Sequence, residues 1–176
     1  MWLINLIENM LSVTRLEEGR MNLNISVELV DDVIQEALRH VDRKKDEHTI
    51  TVEHEDELLL ARMDSRLIVQ MIINLVDNAI KYTNTGGITI KLCSYELFAC
   101  VEVTDTGIGI GEEEHAAVFG RFYRGNAVAE KSGVGIGLYL ARFIMQQQGG
   151  YIRLSSVPGA GSTFGLYFPT AIVSKL

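Results

Sequence analysis

Asn74, Asn78 and Lys81 stand at i, i+4 and i+7 within a stretch whose other positions are mostly apolar. Two carboxamides and an ammonium thus share one helical stripe beside the apolar face. Asparagine in a helix interior costs roughly a few tenths of a kcal/mol, so the pair serves either chemistry or ordinary surface polarity. Further along, Asp105-Thr106-Gly107-Ile108-Gly109-Ile110 follows a run that reads as a strand. Its carboxylate could accept from an exocyclic amine while the glycines let the backbone approach a ligand; a plain turn is the simpler reading. Gly133-Val134-Gly135-Ile136-Gly137-Leu138 opens a helix, where unpaired backbone N–H groups and the helix dipole favour an anion. It has neither the lysine of a P-loop nor the spacing of a dinucleotide fingerprint. Gly159-Ala160-Gly161-Ser162-Thr163-Phe164, taken alone, is a hairpin connection.

Helices and strands must hold these segments. Leu67, Ile68, Met71, Ile72, Leu75, Val76, Ala79 and Ile80 give the cleanest helical stripe, with Asp64 placed as N-cap and the helix running to about Tyr82. Asn84 to Gly87 breaks it. Ile88–Cys93 and Phe98–Thr104 read as a hairpin, and Thr49–Val52, Leu58–Arg62, Tyr151–Ser155 and Ser162–Phe168 as further strands. A periodic segment from about Val27 to Val41, a short helix from Glu112 to Phe119 and a third from Ile136 to Gln148 complete the body. Trp2 to Leu16 makes one more amphipathic helix, with Leu3, Leu6, Ile7, Met10, Leu11 and Leu16 at helical spacing and Gly19 as its stop. That stripe predicts a partner packed upon it. Helices and antiparallel strands without regular βαβ alternation predict an α+β, two-layer sandwich of one sheet covered by helices.

Composition excludes some functions. Of 176 residues 47% are apolar and 22% charged, which suits a packed domain, and a formal net charge of −7 leaves no basic stripe for a nucleic-acid backbone. No apolar run approaches the roughly 20 residues of a membrane span. Cys93 and Cys100 lack metal-ligand spacing and lie in strand-like sequence, so buried reduced thiols are expected.

In order and spacing, the asparagine-bearing helix, the D-x-G-x-G strand end, the G-x-G-x-G helix start and the G-x-G-S-T-F strand resemble the Bergerat-type ATP-binding fold. Gyrase, heat-shock chaperone ATPases, mismatch-repair ATPases and histidine kinases share it, and the resemblance covers residues 20 to 170. Hydrolytic members carry Glu four positions before the metal-binding Asn as general base; Asn74 stands there and cannot take a proton. Asn74-Leu75-Val76-Asp77-Asn78-Ala79-Ile80-Lys81-Tyr82 is similar to the N box of sensor histidine kinases, and Phe119-Gly120-Arg121-Phe122-Tyr123-Arg124 to their F box. Leu6 to Gly19 resembles the end of the second helix of their dimerisation and phosphoacceptor domain. Within the kinases the pattern resembles the potassium-responsive KdpD type.

The resemblance implies that residues 1–19 belong to the dimerising helix and 20–176 to the catalytic domain, which would use ATP and Mg²⁺. Asn78 would bind Mg²⁺, Asn74 would assist at the metal or phosphates, and Lys81 would contact phosphate. Tyr82 would pack near adenine or ribose; Asp105 would accept from the adenine amino group with Thr163 supporting that contact directly or through water, Gly107 and Gly109 giving access. Gly133, Gly135, Gly137 and Leu138 would present backbone donors and hinge a lid over 125–132, expected to be mobile. Arg121 and Arg124 would add positive charge at the phosphates or dock the phosphoacceptor helix, a simple surface role being the alternative for either. None of His40, His48, His54 or His115 has the acceptor context, so the acceptor is expected upstream, together with sensor and membrane segments. The implied partners are a response regulator receiver domain, the protein's own phosphoacceptor domain and a second protomer, in the cytoplasm. The rival readings are a hydrolytic ATPase or serine kinase of the same fold, or a scaffold that only binds.

Overall fold

Asp64 starts the central helix of the chain. Its backbone is extended, one carboxylate oxygen accepts from the Leu67 N–H at 3.4 Å and the other from the Asn24 N–H at 3.0 Å, and its own N–H donates to the Gln148 side chain at 3.0 Å. One buried side chain thus satisfies two donors, one of them an orphan of the helix start. The helix that follows, α3 (Ser65–Tyr82), buries Ile68, Met71, Ile72, Leu75 and Val76 and closes with Lys81 in its last turn, the favourable end for a cation. Asp64→Ala is expected to cost about 2 kcal/mol, the sum of a lost cap and a stranded N–H. A thermal melt should show the midpoint lower by about 4–8 °C; an unchanged midpoint would mean that the cap contributes nothing.

The structure is a computed structural model that describes residues 2–41, 48–55, 58–124 and 135–171. Before α3 come α1 (Trp2–Glu17), β1 (Ser26–Leu29), α2 (Val30–His40), β2 (His48–His54) and β3 (Leu60–Met63). After it come β4 (Gly86–Tyr95), β5 (Phe98–Asp105), α4 (Gly137–Gln147), β6 (Tyr151–Val157) and β7 (Gly161–Pro169). The main sheet has the order β2-β4-β5-β7-β6; β2 runs parallel to β4 and every other pairing is antiparallel. Helices α2, α3 and α4 cover one face, with Ile34, Ile72, Leu140 and Ile144 packed in one core with Ile88, Ile90, Val101, Leu166 and Phe168. The architecture is the expected α+β sandwich with a mixed, largely antiparallel sheet.

On the other face Cys93 and Cys100 are opposite one another in the β4–β5 register, buried and reduced as expected. Tyr151 and Tyr167 stack beside them at 4.5 Å with the Arg153 guanidinium over both rings. Among the described residues no helix is long and apolar enough to cross a membrane.

Three elements differ from the sequence reading. The segment expected as a helix from Val27 begins as β1, which pairs antiparallel with β3 to make a separate two-stranded ribbon; α2 starts only at Val30, whose N–H donates to the Leu59 carbonyl. The expected helix from Glu112 to Phe119 is two 3-10 turns, Glu112–Glu114 and Ala117–Phe119. The strand expected from Leu58 is Leu60–Met63, Leu58 itself standing exposed. Helix α1 forms as expected, with the stripe that predicts a partner open to solvent. Leu3, Ile7, Met10 and Leu11 of its apolar stripe are about half exposed, while Asn9 and Val13 are the residues buried against the body.

Candidate functional site

At the end of β5, Asp105 is 7% exposed, and its Oδ1 accepts from the N–H groups of Gly107 at 2.8 Å and Ser162 at 3.3 Å. Burial pushes the carboxyl above the usual carboxylate range, against the two N–H bonds that favour ionisation. Gly107 has no room for a side chain: a Cβ would lie 2.3 Å from the Tyr82 carbonyl oxygen and 2.8 Å from Asp105 Oδ1. The turn is thereby drawn against the end of α3, where the Ile108 N–H donates to the same Tyr82 carbonyl at 3.2 Å. Gly109, at φ +72°, lies as closely against the Val157 carbonyl. A buried carboxylate held by backbone donors at a strand end can orient a flat ligand that carries an amino group.

Thr163, expected to support the contact with the adenine amino group directly or through water, is next to Ser162 on β7. Its hydroxyl is 2.9 Å from that of Thr104, its cross-strand partner on β5, whereas Ser162, paired with Asp105, supplies the N–H. Ser162 acts through its backbone N–H, which its residue type does not announce; the contact follows from the register of β7 with β5.

Along α3 the polar stripe is divided. Asn74 is 4% exposed and sits between α1 and the start of α4: Asn9 meets its carboxamide on one side, and Gly137 approaches so closely that a Cβ there would touch it at 3.5–3.6 Å. Asn78, one turn later, is only half-buried. The Lys81 ammonium lies 5.3 Å from the centroid of the Tyr82 ring. Burial raises the Tyr82 hydroxyl's pKa, and the nearby Arg124 guanidinium opposes the shift. Arg121 forms an ion pair with Glu17 of α1 and lies over the rings of Phe122 and Tyr139.

Gly135, at φ +75°, packs against the Tyr123 carbonyl just before α4, and Leu138 is partly buried against the core. Gly133 and the loop 125–132 expected to form the lid lie outside the described residues. The α3 stripe, the β5 end, the α4 start and the β7 start therefore converge at one end of the sheet. Asn9, which the sequence reading did not single out, belongs to the same cluster. Asn5 and Asn9 are spaced i, i+4 beside the apolar stripe of α1, and that second, polar stripe was the available signal. The histidines are structural: His48 bonds the Thr83 carbonyl, His54 Asp31, His40 Glu36 and His115 the Ile110 carbonyl.

Residues 63–172 match the family of histidine kinase-, DNA gyrase B- and HSP90-like ATPases, and the chain belongs to it. Over 171 residues it is 36% identical to the sensor protein KdpD of Clostridium acetobutylicum, covering 96% of this chain and 19% of that protein. Over 173 residues it is 32% identical to the sensor-like histidine kinase SenX3 of Mycobacterium bovis, covering 96% of this chain and 42% of that one. The chain thus spans a fifth to two fifths of the length of these relatives. Among solved structures it is similar to the catalytic domain of the histidine kinase ThkA, with a TM-score of 0.72 and 27% identity over 83% of this chain and 97% of that one. Full-length ShkA in complex with AMPPNP shares the fold at a TM-score of 0.82, with 23% identity over 96% of this chain and 36% of that one. The chain is a histidine kinase-type ATPase domain, similar to the catalytic domains of these sensor kinases.

Proposed function

We propose that this domain binds Mg·ATP and directs its γ-phosphoryl group to the imidazole of a phosphoacceptor histidine outside residues 1–176, for relay to an aspartate of a response regulator receiver domain. The observation that carries the nucleotide half is Asp105, a buried carboxylate with Oδ1 fixed by two backbone N–H groups and a glycine turn pressed against α3. In this reading Asp105 accepts from the adenine amino group, and Gly107 and Gly109 let the base lie against the backbone. Ser162 holds the carboxylate in place, and Tyr82 flanks the base or ribose. Lys81, Arg121, Arg124 and the backbone of Gly133, Gly135, Gly137 and Leu138, leading into and opening α4, stabilise phosphate charge.

The residues present fit a magnesium ion. The amide oxygen of Asn78 is a hard, neutral donor on a half-exposed position, and no hydrogen bond occupies its side chain among the described residues. Asn78 would hold the ion with Asn74 assisting; the ion would neutralise charge on the phosphates. Asn74 stands where a hydrolytic relative would need a base. A carboxamide cannot accept the proton of an attacking water, which favours transfer over hydrolysis. Residues 1–19 are read as the end of a helix of the dimerisation and phosphoacceptor domain, so the full protein would be a homodimer with its catalytic domain in the cytoplasm. Any membrane attachment would come through segments outside this chain.

Calorimetric titration with a non-hydrolysable ATP analogue, with Mg²⁺ and with EDTA, tests the reading. Saturable binding that Mg²⁺ strengthens is expected. In Asn78→Ala the strengthening should fall by at least the roughly tenfold that even an outer-shell metal partner commands. A folded chain that binds no nucleotide would sink the proposal and leave the motifs as architecture only.

A further inference from the structure

The carboxamide of Asn74 is closed into a ring with that of Asn9. Asn9 Nδ2 donates to Asn74 Oδ1 at 3.1 Å, and Asn74 Nδ2 donates to Asn9 Oδ1 at 3.1 Å, both side chains being buried. Gln70, one turn before Asn74 on α3, donates to Asn9 Oδ1 at 3.1 Å and also to Asn5 Oδ1, and Asn5 Nδ2 reaches Asp77 at 3.2 Å. Four carboxamides, ending on Asp77, therefore stitch the N-terminal half of α1 to the side of α3 that carries the site. As static glue this is a poor choice. Amide pairs exchange for water at little net gain, and apolar side chains of the same shape would hold the helices as well.

From this geometry we infer that Asn9 is a positioning residue that controls the state of Asn74. While α1 is docked, the Asn74 oxygen is turned into the helix seam and its amide is spoken for. When the N-terminal half of α1 lifts, the same oxygen becomes available to the metal side of the site. Docking of α1 and cation-dependent nucleotide binding then compete for one atom, and the coupling runs both ways: whatever displaces α1 strengthens Mg·ATP binding, and Mg·ATP loosens α1. This rests on the reading of Asn74 and Asn78 as the metal side of a nucleotide site.

The test is the titration described above, carried out on the whole chain and on Asn9→Ala. Removing both hydrogen bonds to Asn74 is expected to tighten binding of the analogue with Mg²⁺ roughly threefold to tenfold, the range set by one or two net amide hydrogen bonds. In EDTA the two proteins should bind alike, which a general loosening of the fold would not produce. Equal or weaker Mg²⁺-dependent binding by Asn9→Ala overturns the inference about α1 alone, provided that Asn78→Ala still abolishes the effect of Mg²⁺. If Asn78→Ala leaves that effect intact, both readings fall. The unaltered chain supplies a second measurement, needed if Asn9→Ala does not fold. Amide hydrogen exchange over residues 3–12 should quicken when Mg²⁺ and the analogue are added together and stay unchanged with the analogue in EDTA; exchange that slows or does not respond to Mg²⁺ overturns the proposal.

Discussion

Asp105→Asn is expected to weaken nucleotide binding roughly tenfold to a hundredfold, the worth of a charge-assisted hydrogen bond together with the mispairing that replaces it. An asparagine oxygen can still accept from the Gly107 and Ser162 N–H groups, so the local fold should survive. Its –NH₂ then faces the adenine amino group, donor against donor. Stability should move the other way. Burial raises the Asp105 pKa, so the ionised form is disfavoured in the folded chain, and its stability falls as pH rises through that raised pKa. At neutral pH the asparagine variant should melt at or above the parent, and the difference should disappear in acid, where the parent carboxyl is protonated in both states. Calorimetric titration and thermal melts over a pH series check both halves. A variant that binds as well as the parent would remove Asp105 from the nucleotide contact.

Gly161→Ala should be the more damaging change to the fold. Gly161 has φ +100°, and a Cβ there would lie 2.0 Å from the carbonyl oxygen of Asp105. The clash is with backbone at the end of a central strand, so neither side can yield without moving β5 or β7. Strain and overpacking together are expected to cost about 3 kcal/mol or more. The thermal midpoint should fall by about 6–12 °C. Nucleotide affinity should fall with it, because the Ser162 N–H that steadies Asp105 follows directly. Gly159→Ala is the control: φ is +80° but nothing lies within 4 Å of the added methyl. It should cost only the roughly 1–2 kcal/mol of left-handed backbone. Equal losses in the two variants would mean that the close approach at Gly161 is not what requires the glycine.

Helix α3 and its cap were legible because an amphipathic repeat over eighteen residues and one capping aspartate speak with local signals alone. The β4–β5 hairpin was legible for the same reason, with two alternating runs joined across a short turn. The split of the Val27 to Val41 segment into β1 and α2 was not. Its apolar positions run on without a break, and only pairing with β3, more than thirty residues away, makes its first three residues part of a strand. Of the site, Asp105, Asn78 and the glycines came from motif and spacing. The Ser162 N–H at Asp105 depended on a register between β5 and β7, and Asn9 on how α1 lies against α3; both are long-range packing, which no local pattern encodes.

The two halves of α1 are held by different means. Val13 packs in the core, Leu16 lies against it, and Glu17 pairs with Arg121, while toward the other end Asn5 and Asn9 bond the side chains of α3. Such a helix is a lever with its fulcrum at Val13. Asn9 is four residues from that point, about 6 Å along the axis, so a tilt of roughly 20° opens the seam by the width of a hydrogen bond. The arm lengthens toward Asn5, and a small force applied at the start of the helix is multiplied at Asn74.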